Sequence, residues 1–183
     1  MICTVQISAQ AFSSTTKEFN AGLGFGNSYF GYTYASGANY SQIPTIFLSY
    51  DQGTNIEIGP GTIGVGGFFG YSSAKASYAF DTYEWSYSWK NTVVGGRGTY
   101  HYPVANDKLD LYGGVSVGLW MQSYTYRDTD PSFNGLYDQN ERYTNLYYSG
   151  CVGARYLLTD KIGLFGELGW DIALLKLGAT IKW

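Results

Sequence analysis

At 183 residues the chain is long enough for one domain. Only 14% of its residues are charged, against roughly 25% in soluble domains, whereas 19% are aromatic and 25 residues are glycine. A net charge of −3 gives no basic footprint for nucleic acid, and no apolar run reaches the roughly 20 residues that a transmembrane helix needs.

Residues 1–10, MICTVQISAQ, read as the remnant of an export signal, which leaves 11–183 as a single domain. Ser8, Ala9 and Ala11 suit a cleavage site, although a basic start and a long apolar core are missing. Cys3 lies in this segment. Its removal leaves Cys151 alone, with no disulfide to form and a small-filler role inside the fold.

Eight alternating segments follow. Residues 17–26 place Phe19, Ala21, Leu23 and Phe25 on one face, and 45–51 alternate Ile46, Leu48 and Tyr50 with Thr45, Phe47 and Ser49. Residues 61–72 show Ile63, Val65, Phe69 and Tyr71. Residues 92–102 set Val94, Tyr100 and Tyr102 against Arg97, Thr99 and His101. The clearest run, 108–123, has Leu109, Leu111, Val115, Val117, Leu119 and Met121 opposite Asp110, Tyr112, Ser116, Trp120 and Gln122. In 143–157 Leu146, Tyr148, Val152, Ala154 and Tyr156 share a face, and in 161–170 Ile162, Leu164, Leu168 and Trp170 do so. The last segment, 173–183, puts Leu175, Leu177, Ala179, Ile181 and Trp183 on one side and Leu174, Lys176, Gly178, Thr180 and Lys182 on the other.

A strand with alternate apolar and polar sides has two partners to satisfy. In lipid only a closed barrel pairs every backbone group, and its strands need about 9–11 residues. The greasy faces then look outward to acyl tails and the few ionic side chains are enclosed. The opposite arrangement, a soluble ligand-binding barrel of the lipocalin kind, would leave Arg97, Glu167, Lys176 and few others to coat its surface. The connections alternate too: 27–44, 73–91 and 124–142 are long and polar, while 52–60, 103–107 and 158–160 are short. Long loops at one end and short turns at the other belong to transmembrane barrels.

With the terminal Trp183 and segments such as GVGGFFGYSS (64–73), TYHY (99–102) and KLDLYGG (108–114), the chain resembles the small eight-stranded outer-membrane β-barrels of Gram-negative bacteria, of the OmpX/OmpA-transmembrane type. The resemblance covers residues 17–183. It implies an all-β, up-and-down antiparallel barrel in the outer membrane, with a polar plugged lumen and long extracellular loops. It also implies contact with lipid and lipopolysaccharide, and engagement of the barrel-assembly machinery by the strand ending in Trp183.

Register arithmetic pairs lumen charges. A two-residue turn at Asp171-Ile172 sets Glu167 opposite Lys176, and a hairpin centred on Ala105-Asn106 sets His101 opposite Asp110. Arg97 and Arg155 also face inward, and Glu18 meets Lys182 where the first and last strands close. Buried charge requires pairing, so these eight residues are expected to form a network filling the lumen. His101, the only histidine, makes half of a triad-like pair with Asp110, but Ser116 lies farther up. A hydrogen-bonded structural role is expected over lipid-modifying catalysis.

No motif calls for a cofactor or metal. GPGTIG (59–64) matches a dinucleotide fingerprint literally but is followed by a strand-like run rather than a helix, so its glycines serve turns and packing. Asp128, Asp130 and Asp138 do not have EF-hand spacing. Lumen-side glycines are expected to make room for Phe47, Phe68 or Trp120. Tyr78, Tyr83, Trp85, Tyr87 and Trp89 alternate with small or polar residues, which predicts a hairpin extending past the membrane to meet an extracellular protein or glycan. The expected function is a non-enzymatic barrel with a structural or surface-adhesion role. The alternatives are a small channel and, third, a lipid-modifying enzyme.

Overall fold

A computed structural model describes residues 11–26, 39–80, 83–129 and 138–183 of the chain. The 1–10 segment and Asp130 therefore lie outside the described residues. Eight strands follow in order: β1 Lys17–Phe25, β2 Asn39–Ile58, β3 Gly61–Phe80, β4 Tyr83–Tyr102, β5 Leu109–Asp128, β6 Gln139–Leu157, β7 Ile162–Trp170 and β8 Leu175–Lys182. Each pairs antiparallel with the next, and β1 pairs with β8, so the sheet closes into a barrel. Closure leaves no free edge within the ring where all eight strands overlap.

Side-chain facing decides between the two barrel types. Val115 is 69% exposed, Val117 57% and Leu168 54%, whereas Glu167 is 1% exposed and Arg155 fully buried. Apolar residues coat the outside and ions fill the inside, which is the membrane arrangement and the reverse of a soluble barrel. Aromatic residues flank the apolar band, with Trp170 and Tyr148 packed edge to face and Trp183 beside Tyr50.

The strand lengths correct the sequence reading. β2 to β6 run 19 or 20 residues, against 8 or 9 in β1, β7 and β8. Much of what reads as polar loop continues the sheet. The expected hairpin extension of β3 and β4 is there, and β2, β5 and β6 rise beside it. At roughly 3.3 Å per residue, a 20-residue strand is longer than a 25 Å apolar band requires. In β3 to β6 the surplus stands above the band, away from the short turns, while β2 also continues through Gly53–Ile58 past Lys17 at the short-turn end. A register shift between Ile43 and Ile46 carries β2 across the upper boundary.

The short turns are tight. Gly59, at φ +59°, occupies the left-handed region in the β2–β3 turn, which answers the dinucleotide-like match with a turn. The β4–β5 register also differs from expectation. His101 stands opposite Tyr112 and Tyr102 opposite Leu111, so the hairpin centres one residue later, on Asn106-Asp107. The side chain of Asn106 accepts from the Lys108 amide at 3.0 Å and its carbonyl accepts from Leu109, an Asx-type closure that fixes this centre. Leu174, expected inward on the last strand, precedes β8 and is 61% exposed.

Candidate functional site: a filled lumen beneath a protruding sheet

The lumen is occupied in two layers. At the short-turn end the inward positions of every strand but β3 and β8 supply polar side chains to an ion-pair chain, and β8 adds Lys176 higher up. Arg155 (β6) reaches across to Glu18 (β1), contacts Asp110 (β5) at 2.6 Å and lies 3.8 Å from Asp51 (β2). Arg97 (β4) bridges Asp51 at 3.2 Å and Glu167 (β7) at 2.9 Å. Lys176 meets Glu167 at 2.7 Å and also Asp171. The Tyr112 hydroxyl donates to Glu167 at 3.0 Å, and the Arg155 guanidinium lies 4.7 Å from the Tyr112 ring centre. Each cation touches at least two carboxylates, the condition under which buried charge is tolerated.

Of the sequence-predicted charges, Glu167 and Lys176 are register partners as expected. Glu18 and Lys182 are also register partners, but their side chains part: Glu18 engages Arg155, while Lys182 donates to the carbonyl of Ala11 at 2.5 Å. His101 and Asp110 are not directly opposed, yet they meet diagonally at 2.9 Å. Asp51 and Asp171 complete the chain and were not singled out from the sequence. Asp51 continues the inward parity of Thr45, Phe47 and Ser49, so its signal was present. Asp171 read only as a turn residue.

Above the ions sits an apolar plug of Phe47, Phe68, Val93 and Tyr147, with Trp120 and Ile172 packed on it, and Phe165, opposite Arg155 in the register, joins it from the level of the ions. Glycine makes room inside the barrel, but for different rings than expected. A Cβ on Gly153 would sit 2.5 Å from Tyr112, and one on Gly178 would sit 2.7 Å from Phe165. Cys151 is a half-buried free thiol beside Gly114.

At the short-turn end Phe12 stacks flat on His101, with ring centres 3.4 Å apart, and seals the lumen. His101 Nε2 meets Thr99 Oγ1 at 2.9 Å, giving Thr99–His101–Asp110 the connectivity of a triad. The adjoining crevice, lined by Phe12, His101, Val104 and Asp110, holds about 10 Å³, the room of a single water. Thr99 is 2% exposed, so no acyl chain reaches it.

The protruding sheet has two unlike faces. Pairing carries the barrel's alternation upward, so Tyr78, Trp85, Tyr87, Trp89, Tyr124 and Tyr126 share the inner face. Tyr87 lies 6.0 Å from Trp89 and 4.9 Å from Tyr126, Trp89 lies 5.9 Å from Tyr124, and Tyr78 stacks on Trp85 at 5.6 Å. Tyr83 opens β4, but its side chain is outside the described residues. Burial, and then the neighbouring Tyr87 hydroxyl, raise the Tyr124 phenol above its ordinary range. The outer face carries Lys75, Lys90, Arg127 and Arg142, with Glu84 paired to Lys75 at 3.6 Å. Among the described residues no cluster of His, Cys, Asp and Glu fits a metal ion.

The model of the outer membrane protein beta-barrel domain matches residues 1–176. The chain belongs to that family. This outer-membrane barrel is therefore a protein of the Gram-negative outer membrane. No curated relative matches it in sequence. Among solved structures it is similar to Ail, the attachment invasion locus protein of Yersinia pestis in complex with the heparin analogue sucrose octasulfate. Identity is 12%, coverage is 92% of this chain and 98% of that one, and the TM-score is 0.50. The N-terminal β-barrel domain of Pseudomonas aeruginosa OprF matches at 14% identity and a TM-score of 0.42, over 93% of this outer-membrane barrel and 98% of that domain. Such identities speak to the fold alone.

Proposed function

We propose that this barrel is a non-enzymatic surface protein, whose membrane wall is a rigid anchor for a sheet that contacts partners outside the cell. The observation that carries the reading is the disparity in strand length, 19 or 20 residues in β2–β6 against 8 or 9 in the other three. A barrel that only spanned the membrane would have no use for the surplus. The filled lumen supports the same reading, because the ion-pair chain and the aromatic plug together occupy the route an ion would take.

Three partners follow. Lys90, Ser123 and Arg142 occupy one register row on the outer face, directly above the apolar band. Two strand spacings separate the cations by about 10 Å, which suits lipopolysaccharide phosphates. The last strand, ending in Trp183, serves as the handle for the assembly machinery. The heparin analogue bound by Ail makes a glycan a reasonable class of external partner.

Two measurements test this. Purified protein in planar bilayers is expected to be electrically silent, and discrete channel openings would restore the channel reading. Cells displaying the full chain are expected to adhere to matrix-coated surfaces better than cells in which residues 76–87 are replaced by a two-residue turn. Equal adhesion would remove the surface-interaction reading.

A further inference from the structure

The two faces of the protruding sheet select different ligands, and only one face is committed to the membrane. The inner face points over the barrel mouth, and β7, β8 and β1 end below it at Trp170, Leu175 and Phe25. Its register rows are well defined. One row reads Gln42, Ala74, Trp89, Tyr124, Glu141, and the next reads Tyr40, Ala76, Tyr87, Tyr126, Gln139. Large rings thus fill the centre, with amides and a carboxylate at the margins.

Accessibility rises toward β6. Tyr143 is 52% exposed, and Gln139, Glu141 and Asn145 beside it are exposed, while the central rings are half-buried. Asn145 donates to Gln122 at 3.3 Å and Trp120 donates to Asn91 at 3.0 Å, so a line of side-chain amides runs along the foot of the aromatic raft.

Charge is the discriminating feature. Every cation of the protruding β3–β6 segments (Lys75, Lys90, Arg127 and Arg142) has the outward parity. The inner face carries Asp128 and Glu141 instead. A sulfated or phosphorylated glycan would meet carboxylates on a face from which those four cations point away, a like-charge juxtaposition that opposes binding. A bare apolar partner would strip water from the exposed Gln139, Glu141 and Asn145 and offer them no hydrogen bond in return. A sugar ring without charge satisfies both halves. Its C–H face, mildly positive, lies on the negative face of an aromatic ring, and its hydroxyls pair with amides and carboxylates at the rim.

The geometry points to a binding site for an uncharged saccharide chain on the inner face of the protruding sheet, with Tyr87, Trp89, Tyr124 and Tyr126 as its stacking platform and Gln139, Glu141 and Asn145 as hydroxyl partners. The inference rests on the surface-interaction reading and names its ligand class. Outer and inner faces then divide the labour: phosphate of the cell's own lipid outside, neutral sugar inside.

The test uses the full chain in lipid nanodiscs, since a sugar-headed detergent would compete. Tryptophan fluorescence and biolayer interferometry are read against malto-, cello-, laminari- and chitohexaose, a heparin hexasaccharide and octalysine. At least one neutral hexaose is expected to bind more tightly than heparin or octalysine. Trp89→Ala and Tyr87→Ala are each expected to weaken it about tenfold. Trp89→Phe retains most of the affinity, and Ser88→Ala, on the opposite face of the same strand, changes nothing. Heat-modifiable migration on gels confirms that each variant is folded. Tightest binding to heparin or octalysine, binding to none of the neutral hexaoses, or undiminished binding by both alanine variants overturns the proposal. If neutral sugars fail while removal of 76–87 abolishes adhesion, the ligand class is wrong and the surface reading stands. If that removal changes nothing, the surface reading itself is wrong.

Discussion

Arg155→Met is the sharpest probe of the lumen. Arg155 is fully buried on β6, and its guanidinium holds Glu18 of β1, Asp110 of β5 and, more distantly, Asp51 of β2. Methionine matches much of its volume and supplies none of its charge. Asp51 keeps Arg97 as a partner, and Asp110 keeps His101, but Glu18 has no other cation within ion-pair distance among the described residues. Breaking one side of a buried pair costs about 3–5 kcal/mol, because a desolvated charge is left behind. The upper half of that range is expected, since one cation serves two close carboxylates. The comparison that isolates charge from packing is the triple variant Arg155→Met, Glu18→Gln, Asp110→Asn, which removes the orphaned charges and is expected to recover all but about 1–2 kcal/mol. Arg155→Lys falls between, because an ammonium on one stem does not reproduce a planar fork. Reversible urea unfolding in lipid vesicles, followed by tryptophan fluorescence, gives the numbers. A single variant within about 1 kcal/mol of wild type would refute the idea that these side chains are charged and mutually dependent. A triple variant no more stable than the single would show that packing, not charge, sets the cost.

Other expectations bear on facing and fit. Val117→Arg, at an outward position in the apolar band, should lose about 2–4 kcal/mol in the same titration, and a loss near zero would contradict its lipid exposure. Gly153→Val should displace the Tyr112 ring that lies across it and break the Tyr112–Glu167 bond, costing about 1–3 kcal/mol; unchanged stability would mean that the ring has another resting place. Phe12→Ala removes the ring stacked on His101 and should open the short-turn end, read as faster exchange of the His101 ring protons with solvent, with no change in strand content by circular dichroism.

Much of this architecture was legible because lipid imposes a strict alternation. Wherever one face meets acyl chains, hydrophobic parity reveals the strand, and parity alone placed Arg97, His101, Asp110, Arg155, Glu167 and Lys176 inside. The alternation fades above the band, where both faces of β2, β5 and β6 meet water and apolar spacing no longer marks a strand. Only the Tyr78–Trp89 aromatics kept the rhythm visible there. The β4–β5 register escaped by one residue because Asn106 closes its turn through its own side chain, a choice that Pro103-Val104-Ala105 does not announce. The lumen partnerships escaped in part for a different reason: arginine is long enough to span the barrel, so its carboxylates come from strands that are not its sequence neighbours.

The unequal strands also grade the molecule in time. β3 and β4 share a long unbroken ladder, while β8, at 8 residues, and β1, at 9, close the ring with a short one. Amide protons along that seam should trade with deuterium first, and a chain pulled by its ends should part there, unzipping from the join while the tall wall is still whole.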